Sequence, residues 1–233
     1  MLKKPIIVAN WKSFKNPVEA QKWAEEIGLI YRLNPIKYSQ SIILCAPFID
    51  IPILKDTIKI MPLGFNFVLG AQNISTEENM PETGETTADM IKDYVSYVLV
   101  GHSERRNKLG ETKDLVNNKI KICISHGLKT IVCISSLTEL EYVIKEFPSY
   151  SGLILYEPKS AIGSGKIENP KDSNEMANKI KSYLENTQVL YGGSVNSENV
   201  ADIISQTNLD GIAIGGASLD PLSFWKIIKN AIT

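Results

Sequence analysis

A carboxylate, Glu157, stands where an apolar run of the sequence ends. The run Gly152–Tyr156 is short and rich in β-favouring residues, which is typical of a buried strand in a parallel sheet. Pro158 removes a backbone donor and ends the strand, and Gly163 and Gly165 follow a few residues later. Glycines let backbone N–H groups come close to a bound anion. The stretch predicts an acid–base group at a strand tip beside an anion-binding segment, and a surface glutamate before a plain connector is the alternative.

Other residues able to do chemistry also follow apolar runs. They comprise an amide, an ammonium, an imidazole, a second carboxylate and two glycine-rich turns: Asn10, Lys12, His102, Ser103, Glu104, Gly192, Gly193, Ser194, Gly215 and Gly216. An imidazole can act in acid–base catalysis near neutral pH, a lysine supplies fixed positive charge, and paired glycines expose N–H groups to an anion such as phosphate. Each residue taken singly is weak evidence, because most lysines and histidines are structural or solvent-exposed.

The predicted strands and helices indicate how these residues are positioned relative to one another. Eight strand-like runs alternate with eight helical segments, and the strands are predicted at Ile6–Asn10, Ser41–Cys45, Phe67–Ala71, Tyr97–Gly101, Thr130–Ile134, Gly152–Tyr156, Val189–Tyr191 and Gly211–Ile214. Strict alternation over 233 residues predicts an α/β protein with one (β/α)8 barrel as a single domain over residues 1–233, and an open doubly wound sheet is the alternative. In such a barrel the chemistry lies at the carboxyl ends of the strands, where the residues above fall.

Helix signals support the same alternation. Asn16 is a predicted N-cap and Pro17 a predicted first helical residue. Pro221 opens the last helix, whose apolar residues are expected to face inward: Leu222, Trp225, Ile228 and Ile232.

Charge and cysteine usage exclude several classes of function. The 25 Lys and Arg residues oppose 26 Asp and Glu residues, so a net charge of −1 gives no electrostatic case for nucleic acid or an anionic membrane as partner. The N-terminal apolar run is too short for a signal peptide, and no run approaches the ~18 apolar residues of a membrane span. Cys45, Cys123 and Cys133 lie in apolar runs without metal-ligand spacing. We therefore expect a cytoplasmic protein with reduced thiols and no metal.

Eight segments together resemble the triosephosphate isomerase family, in family order and from end to end. They are Asn10-Trp11-Lys12, Ala71-Gln72-Asn73, Thr83-Gly84-Glu85, Gly101-His102-Ser103-Glu104-Arg105-Arg106, Tyr156-Glu157-Pro158, Ile162-Gly163-Ser164-Gly165-Lys166, Tyr191-Gly192-Gly193-Ser194-Val195-Asn196, and Asp210-Gly211 with Gly215-Gly216-Ala217-Ser218-Leu219. One segment would be weak evidence, whereas the set is specific. The fold of that family is the TIM barrel.

The resemblance implies interconversion of dihydroxyacetone phosphate and D-glyceraldehyde 3-phosphate through an enediolate, without a cofactor, as a step of glycolysis and gluconeogenesis. It makes Glu157 the base, His102 a neutral electrophile and Lys12 an electrostatic stabiliser. It makes Asn10 a hydrogen-bond partner of the substrate and Glu104 a residue that orders the cationic cluster. It assigns phosphate binding to backbone N–H groups of Gly163, Ser194, Gly215 and Gly216. It assigns the lid to Pro158, Lys159, Ser160, Ala161, Ile162, Gly163, Ser164, Gly165 and Lys166.

The resemblance also implies a homodimer. In the family the tip of a long loop, here residues 72–85 with Thr83 near its end, enters a pocket beside the partner's lysine loop, here Lys12 to Lys15. Mutual insertion of this kind requires a two-fold axis. Only 23 residues separate Cys133 from Glu157, and this short segment leaves a tetramer open.

Several positions depart from the family pattern. Lys159 and Ser160 replace a bulky apolar residue and Trp at the lid hinge, and Ser135-Ser136 replaces Gly-Glu after the fifth strand. Ala213 replaces a Leu that presses on the base, which predicts a thinner apolar cover over Glu157. These departures affect hinge stiffness and base desolvation, but they remove no group that the chemistry needs.

Two other functions stay open on the sequence. A different phosphate-handling barrel enzyme, such as an aldolase or synthase, would be favoured by a Schiff-base lysine inside a strand, and no predicted strand carries one. A non-catalytic sugar-phosphate-binding or partner-binding homologue would be favoured by loss of Lys12, His102 or Glu157, and all three are present.

Overall fold

The protein, represented by a computed structural model, contains a closed barrel of eight parallel strands. The structure describes residues 1–35, 42–61, 67–77, 82–158 and 168–232, and all structural statements below concern these. Each strand pairs with the next in the chain, and β8 closes on β1 through the register Val8↔Ala213. Closure confirms the predicted (β/α)8 barrel and excludes the open doubly wound sheet.

The strands lie close to their predicted positions. They are β1 Ile6–Asn10, β2 Ile42–Ala46, β3 Phe67–Ala71, β4 Tyr97–Val100, β5 Lys129–Ile134, β6 Leu153–Tyr156, β7 Gln188–Tyr191 and β8 Gly211–Ile214. The expectation that no strand carries a lysine is wrong, because β5 begins at Lys129. Its side chain is exposed at the amino end of the barrel, opposite the face where chemistry is expected.

The described residues contain nine α-helices, one more than predicted. They are α1 Pro17–Leu33, α2 Ile51–Lys59, α3 Ala88–Ile91, α4 Ser103–Lys108, α5 Lys113–Ser125, α6 Leu137–Glu146, α7 Pro170–Tyr183, α8 Val200–Ile204 and α9 Pro221–Ile232. Two short 3-10 helices lie at Phe48–Asp50 and Gly216–Ser218. Two α-helices, α4 and α5, occur between β4 and β5, and this is where strict one-to-one alternation fails.

Side-chain caps begin most of these helices where the sequence signals them. Asn16 accepts from the backbone N–H groups of Val18 and Glu19, and the Glu19 carboxylate accepts from the N–H of Asn16, which completes a capping box. In the last helix the prediction for Leu222 is wrong, because its side chain is 58% exposed while Trp225 and Ile228 are buried. Leu222 is the second residue of its helix and follows the buried Pro221.

The core has two layers because parallel strands are buried on both faces. Alternate strand residues fill the barrel interior: Ile6, Val8, Ile43, Cys45, Tyr97, Leu99, Ile131, Cys133, Leu153, Leu155, Leu190 and Ala213. Their neighbours along each strand pack outward against the helices. Gly211 permits close approach of β8 to β1, since a Cβ there would lie 2.0 Å from the carbonyl oxygen of Ile6. None of the helices described here is both long and apolar enough to span a membrane.

Candidate active site

Glu157 lies on the wall of the barrel mouth, directly after β6. Its backbone N–H donates to the carbonyl oxygen of Ile134 (2.8 Å), which continues the pairing with β5 by one residue. Its side chain turns inward and the residue is only 5% exposed. The carboxylate accepts from the backbone N–H of Ser103 at 3.0 Å and meets Nε2 of His102 at 3.1 Å. A buried carboxylate is therefore held by the start of α4.

His102 is the N-cap of α4, and this position fixes its proton. Nδ1 accepts from the backbone N–H of Glu104 at 3.2 Å, so Nδ1 carries no hydrogen. The remaining hydrogen of a neutral ring is then on Nε2, which donates to Glu157. The positive end of the α4 dipole also disfavours a charged imidazole. The arrangement presents a neutral imidazole with its N–H directed at the pocket.

Arg106 fastens α4 to the ends of two strands. Its Nε donates to the carbonyl oxygen of Gly101 at 2.7 Å and its Nη2 to that of Cys133 at 3.1 Å. Gly101 has a φ of +72°, and a Cβ there would lie 2.6 Å from Arg106 Nη2. Glycine is thus required immediately before His102.

Lys12 enters the same pocket from the loop after β1. Its φ of +53° is unusual for a lysine, and its backbone N–H donates to Oδ1 of Asn10 at 3.0 Å. Its ammonium donates to Oε1 of Glu104 at 2.8 Å. Backbone strain of this kind clusters at functional sites. The geometry aims a cation into the barrel mouth.

Glu104 is the anionic partner of this cation. Burial, the largest influence, opposes its ionisation, but the hydrogen bond and charge of Lys12 outweigh it and lower the pKa of Glu104. Glu104 therefore stays ionised at neutral pH and holds the Lys12 ammonium in place.

A pocket of about 410 Å³ lies between Lys12, His102 and Glu157. Its lining includes Asn10, Lys12, His102, Leu155, Glu157, Gly192, Gly193, Ser194, Ala213, Gly215 and Gly216. This volume lies in the range of sites for small molecules. The described lining of a larger cavity, about 630 Å³ at the amino end of the barrel, contains no carboxylate or imidazole, and that cavity lies at the end of the barrel opposite Glu157 and His102.

The glycine turns after β7 and β8 form the side of the pocket opposite His102. Gly215 and Gly216 lead into the 3-10 helix Gly216–Ser218, and a Cβ on Gly216 would meet nothing within 4 Å. A Cβ on Gly215 would lie 3.8 Å from Cε of Lys12, so the lysine stem passes over this turn. Open backbone beside an ammonium suits an anion such as phosphate.

The structure brings together most of the residues predicted from the sequence. Asn10, Lys12, His102, Glu157, Ser194, Gly215 and Gly216 line one pocket, and Glu104 borders it through Lys12. Thr83 is exposed. Pro158 is buried, whereas lid residues Lys159, Ser160, Ala161, Ile162, Gly163, Ser164, Gly165 and Lys166 lie outside the described residues. In the part of the chain that is described, no cluster of His, Cys, Asp or Glu is arranged to hold a metal ion.

Leu155 and Glu139 are among the lining and supporting residues that the sequence did not predict. Leu155, two residues before Glu157, faces the same pocket, and a Cβ on Gly192 would lie 2.8 Å from its Cδ1 and 3.2 Å from Cγ of Glu157. The i, i+2 spacing on a strand was the available signal. Glu139 of α6 supports the segment that follows β5, because its carboxylate accepts from the backbone N–H of Ser135 at 2.8 Å.

Fold and site together define a (β/α)8-barrel protein with a carboxylate, an imidazole, an ammonium and two glycine-rich turns in one pocket at the carboxyl ends of its strands. The family model described as triosephosphate isomerase matches residues 5–231. A triosephosphate isomerase of Synechococcus sp. (strain JA-2-3B'a(2-13)) is 36% identical, with 97% of each chain covered. One of Trichodesmium erythraeum is 36% identical over 98% of this chain and 99% of the relative.

A further relative, the triosephosphate isomerase of Carboxydothermus hydrogenoformans, is 35% identical over 99% of this chain and all of its own length. The chain belongs to the triosephosphate isomerase family and is an isomerase.

Proposed function

We propose that this isomerase interconverts dihydroxyacetone phosphate and D-glyceraldehyde 3-phosphate without a cofactor, as a single domain over residues 1–233. The observation that carries the proposal is the meeting of the Glu157 carboxylate and His102 Nε2 at 3.1 Å, in a pocket that also holds Lys12 and two glycine turns. These are the groups that a proton transfer next to a carbonyl needs: a base, a neutral donor for the oxygen and a cation for the developing charge.

In the proposed reaction Glu157 takes a proton from the substrate carbon beside the carbonyl. The electron pair of that C–H bond forms the C=C bond of an enediolate, and the carbonyl π pair moves to its oxygen. The N–H at Nε2 of His102 donates to that oxygen, and the Lys12 charge stabilises it. A proton then passes from the hydroxyl on the carbon that lost its hydrogen to the enediolate oxygen, and His102 is proposed to relay it. The C=C electron pair takes the proton returned by Glu157 at the former carbonyl carbon, while the pair left on the other oxygen forms the new C=O bond. The carbonyl oxygen of a bound substrate competes with Glu157 for the Nε2 hydrogen and frees the carboxylate to act.

Supporting roles follow from the contacts of Asn10 and Glu104. Asn10 fixes the strained Lys12 backbone through its Oδ1, and its amide nitrogen is proposed to donate to a substrate oxygen. Glu104 accepts from the Lys12 ammonium and keeps it in one orientation. Both residues are proposed to position charged groups, and neither transfers a proton to or from the substrate.

The phosphate is proposed to bind N–H groups of Ser194, Gly215 and Gly216, with Gly163 of the lid segment 158–166 completing the set. Supporting this, the stem of Lys12 crosses the Gly215 turn, which sets its positive charge near the expected anion. Backbone donors leave the phosphate charge in place while fixing its position.

A homodimer is proposed because the lysine loop and the start of the β2–α2 connection expose apolar side chains. Phe14 is 54% and Ile49 67% exposed, beside a loop where Lys15 also has a positive φ of 73°. A second copy, entering with Thr83 and its loop, would cover them around a two-fold axis. A tetramer stays possible.

A cytoplasmic location, with a role in glycolysis and gluconeogenesis, is part of the same proposal. Supporting the location, Cys45, Cys123 and Cys133 are free and buried. Unpaired thiols are typical of a reducing compartment.

The test is a coupled assay in each direction with the two triose phosphates, run in deuterated water. We expect turnover of both and incorporation of solvent deuterium at the carbon next to the carbonyl, because the proton resides on Glu157 between steps. Absence of turnover in a folded preparation would contradict the proposed substrate. Turnover without any solvent exchange would argue for direct hydride transfer in place of the base mechanism.

A further inference from the structure

Glu168 links the ends of two site-bearing strands. It stands two residues before α7, and its Oε1 accepts from the Tyr156 hydroxyl at 3.2 Å. Its Oε2 accepts from the Ser173 hydroxyl of α7 at 2.6 Å. Its backbone N–H donates to the Tyr191 hydroxyl at 3.3 Å. One residue therefore contacts β6, β7 and α7.

The two tyrosines are the last residues of their strands. Tyr156 and Tyr191 are register partners, and they directly precede Glu157 and the Gly192-Gly193-Ser194 turn. Both side chains face the outer layer, between the sheet and the helices. Glu168 thus sits behind the wall whose inner surface carries the proposed base.

The Tyr156 hydroxyl has the Glu168 carboxylate as its acceptor, at 3.2 Å. Burial, and after it the neighbouring Glu168 carboxylate, raises the pKa of Tyr156, so its hydroxyl stays protonated and donates. Without the carboxylate, a hydroxyl on a residue that is 5% exposed would lose this acceptor.

We propose that the side chain of Glu168 is a positioning residue that holds the tip of β6, through Tyr156, in the place where Glu157 can reach the substrate. This inference rests on the proposed role of Glu157 as the base. Ser173 anchors the other carboxylate oxygen to α7, so the strand tip is tied to a helix and not only to a loop. Misplacement of a reacting group by about 1 Å can cost ~10²-fold in rate.

The test compares Glu168→Ala, Glu168→Gln, Tyr156→Phe and the double variant Glu168→Ala/Tyr156→Phe. We expect Glu168→Ala to lower kcat about tenfold or more with KM changed less than twofold, because the pocket that binds the phosphate is untouched. Glu168→Gln keeps an amide oxygen for Tyr156 and should recover kcat to within about threefold of the parent. If Glu168 acts through Tyr156, the double variant is no slower than the slower single variant.

Tyr183→Phe is the matched control. Its hydroxyl donates to Oε1 of Glu141 at 3.4 Å on the exposed surface, so it removes the same kind of bond away from the site, and kcat should not change. A Glu168→Ala kcat within twofold of the parent would overturn the proposal, as would losses that multiply in the double variant. Should Glu168→Ala not fold, an unchanged kcat in folded Tyr156→Phe overturns it equally. Full activity of Glu157→Gln would instead overturn the proposed role of Glu157 as the base. This variant therefore distinguishes a failure of the proposed reaction from a failure of the positioning role of Glu168.

Discussion

The reactivity proposed for Glu157 depends on what surrounds its carbon chain as well as on its two hydrogen bonds. Leu155 faces the pocket beside it and is 2% exposed, while Ala213 across the barrel mouth is 7% exposed. The small residue on β8 is therefore accompanied by a large one on β6. Apolar neighbours exclude water from a carboxylate and strengthen it as a base.

Exchange of these two side chains tests the apolar cover. We expect Leu155→Ala to lower kcat about tenfold and to destabilise the fold by about 2–5 kcal/mol, because it opens a cavity next to Glu157. Ala213→Leu alone overpacks the barrel mouth and should cost ~1–3 kcal/mol. The double variant conserves volume and should recover part of both losses. Steady-state kinetics and urea unfolding measure them, and a Leu155→Ala enzyme with unchanged kcat would show that Leu155 does not shield the base.

The sequence predicted some of the site residues and missed others. Glu157, His102 and Lys12 were predicted from position after strands and from the family motifs, and the structure places them in one pocket. Leu155 was missed because an apolar residue in a strand looks the same whether it borders a site or fills a core. Glu168 was missed because its partners, Tyr156 and Ser173, meet it only in three dimensions.

Among the elements, α4 does most to organise the site. It begins at His102, its first N–H binds Glu157, and Arg106 ties it to β4 and β5. Strand bounds followed from apolar runs to within a residue, whereas α4 had no apolar periodicity to predict it, since it is short and largely polar. Its helical state depends on the His102 cap, which is local, and on the contact of Arg106 with Cys133, which is tertiary.

A buried ionic network fixes α4 and α5 to the loop after β3. Glu111 pairs with Arg105 and with Lys119, and the Lys119 ammonium also donates to Asn73. Burial, the largest influence, lowers the pKa of Lys119, and Glu111 opposes that effect. Glu111 is the member shared by the two ion pairs, since its carboxylate contacts both the Arg105 guanidinium and the Lys119 ammonium. The network therefore depends on Glu111.

Glu111→Gln is expected to destabilise the protein by about 3–5 kcal/mol, because it leaves the Lys119 charge buried without its anionic partner. Urea unfolding monitored by circular dichroism gives the value. Asp56→Asn, which breaks the exposed pair with Lys59, is the control and should leave the midpoint unchanged. An equal midpoint for Glu111→Gln and the parent would mean that the network does not stabilise the fold.

For the molecule as a whole, the proposed dimer makes a prediction about its exposed apolar residues. Ile49→Lys adds a charge to the face proposed to contact the partner, so we expect sedimentation to show a monomer with strongly reduced kcat. Leu33→Lys, at an equally exposed apolar residue at the end of α1, is the control and should stay dimeric. A parent protein that sediments as a fully active monomer at assay concentrations would contradict the dimer.

The buried thiols predict how stability depends on pH. Burial raises the pKa of Cys45, and that of Cys123, from an ordinary value of 9.0 to about 12. The unfolded chain therefore loses these protons first, and stability falls as pH rises from about 9 towards 12. We expect lower urea midpoints above pH 9, and a smaller fall in Cys45→Ser. The same fall in Cys45→Ser and the parent would exclude a contribution from this thiol.

The most direct test of the account is the turnover of Glu157→Gln, which keeps the size of the side chain and removes the base. Loss of a positioned base costs ~10²–10⁴-fold or more, so we expect kcat to fall at least that far. Affinity for inorganic phosphate should stay within about twofold of the parent, because the proposed cradle at Ser194, Gly215 and Gly216 is unchanged. A folded Glu157→Gln enzyme that turns over triose phosphate at a rate near that of the parent would contradict the assignment of Glu157 as the base.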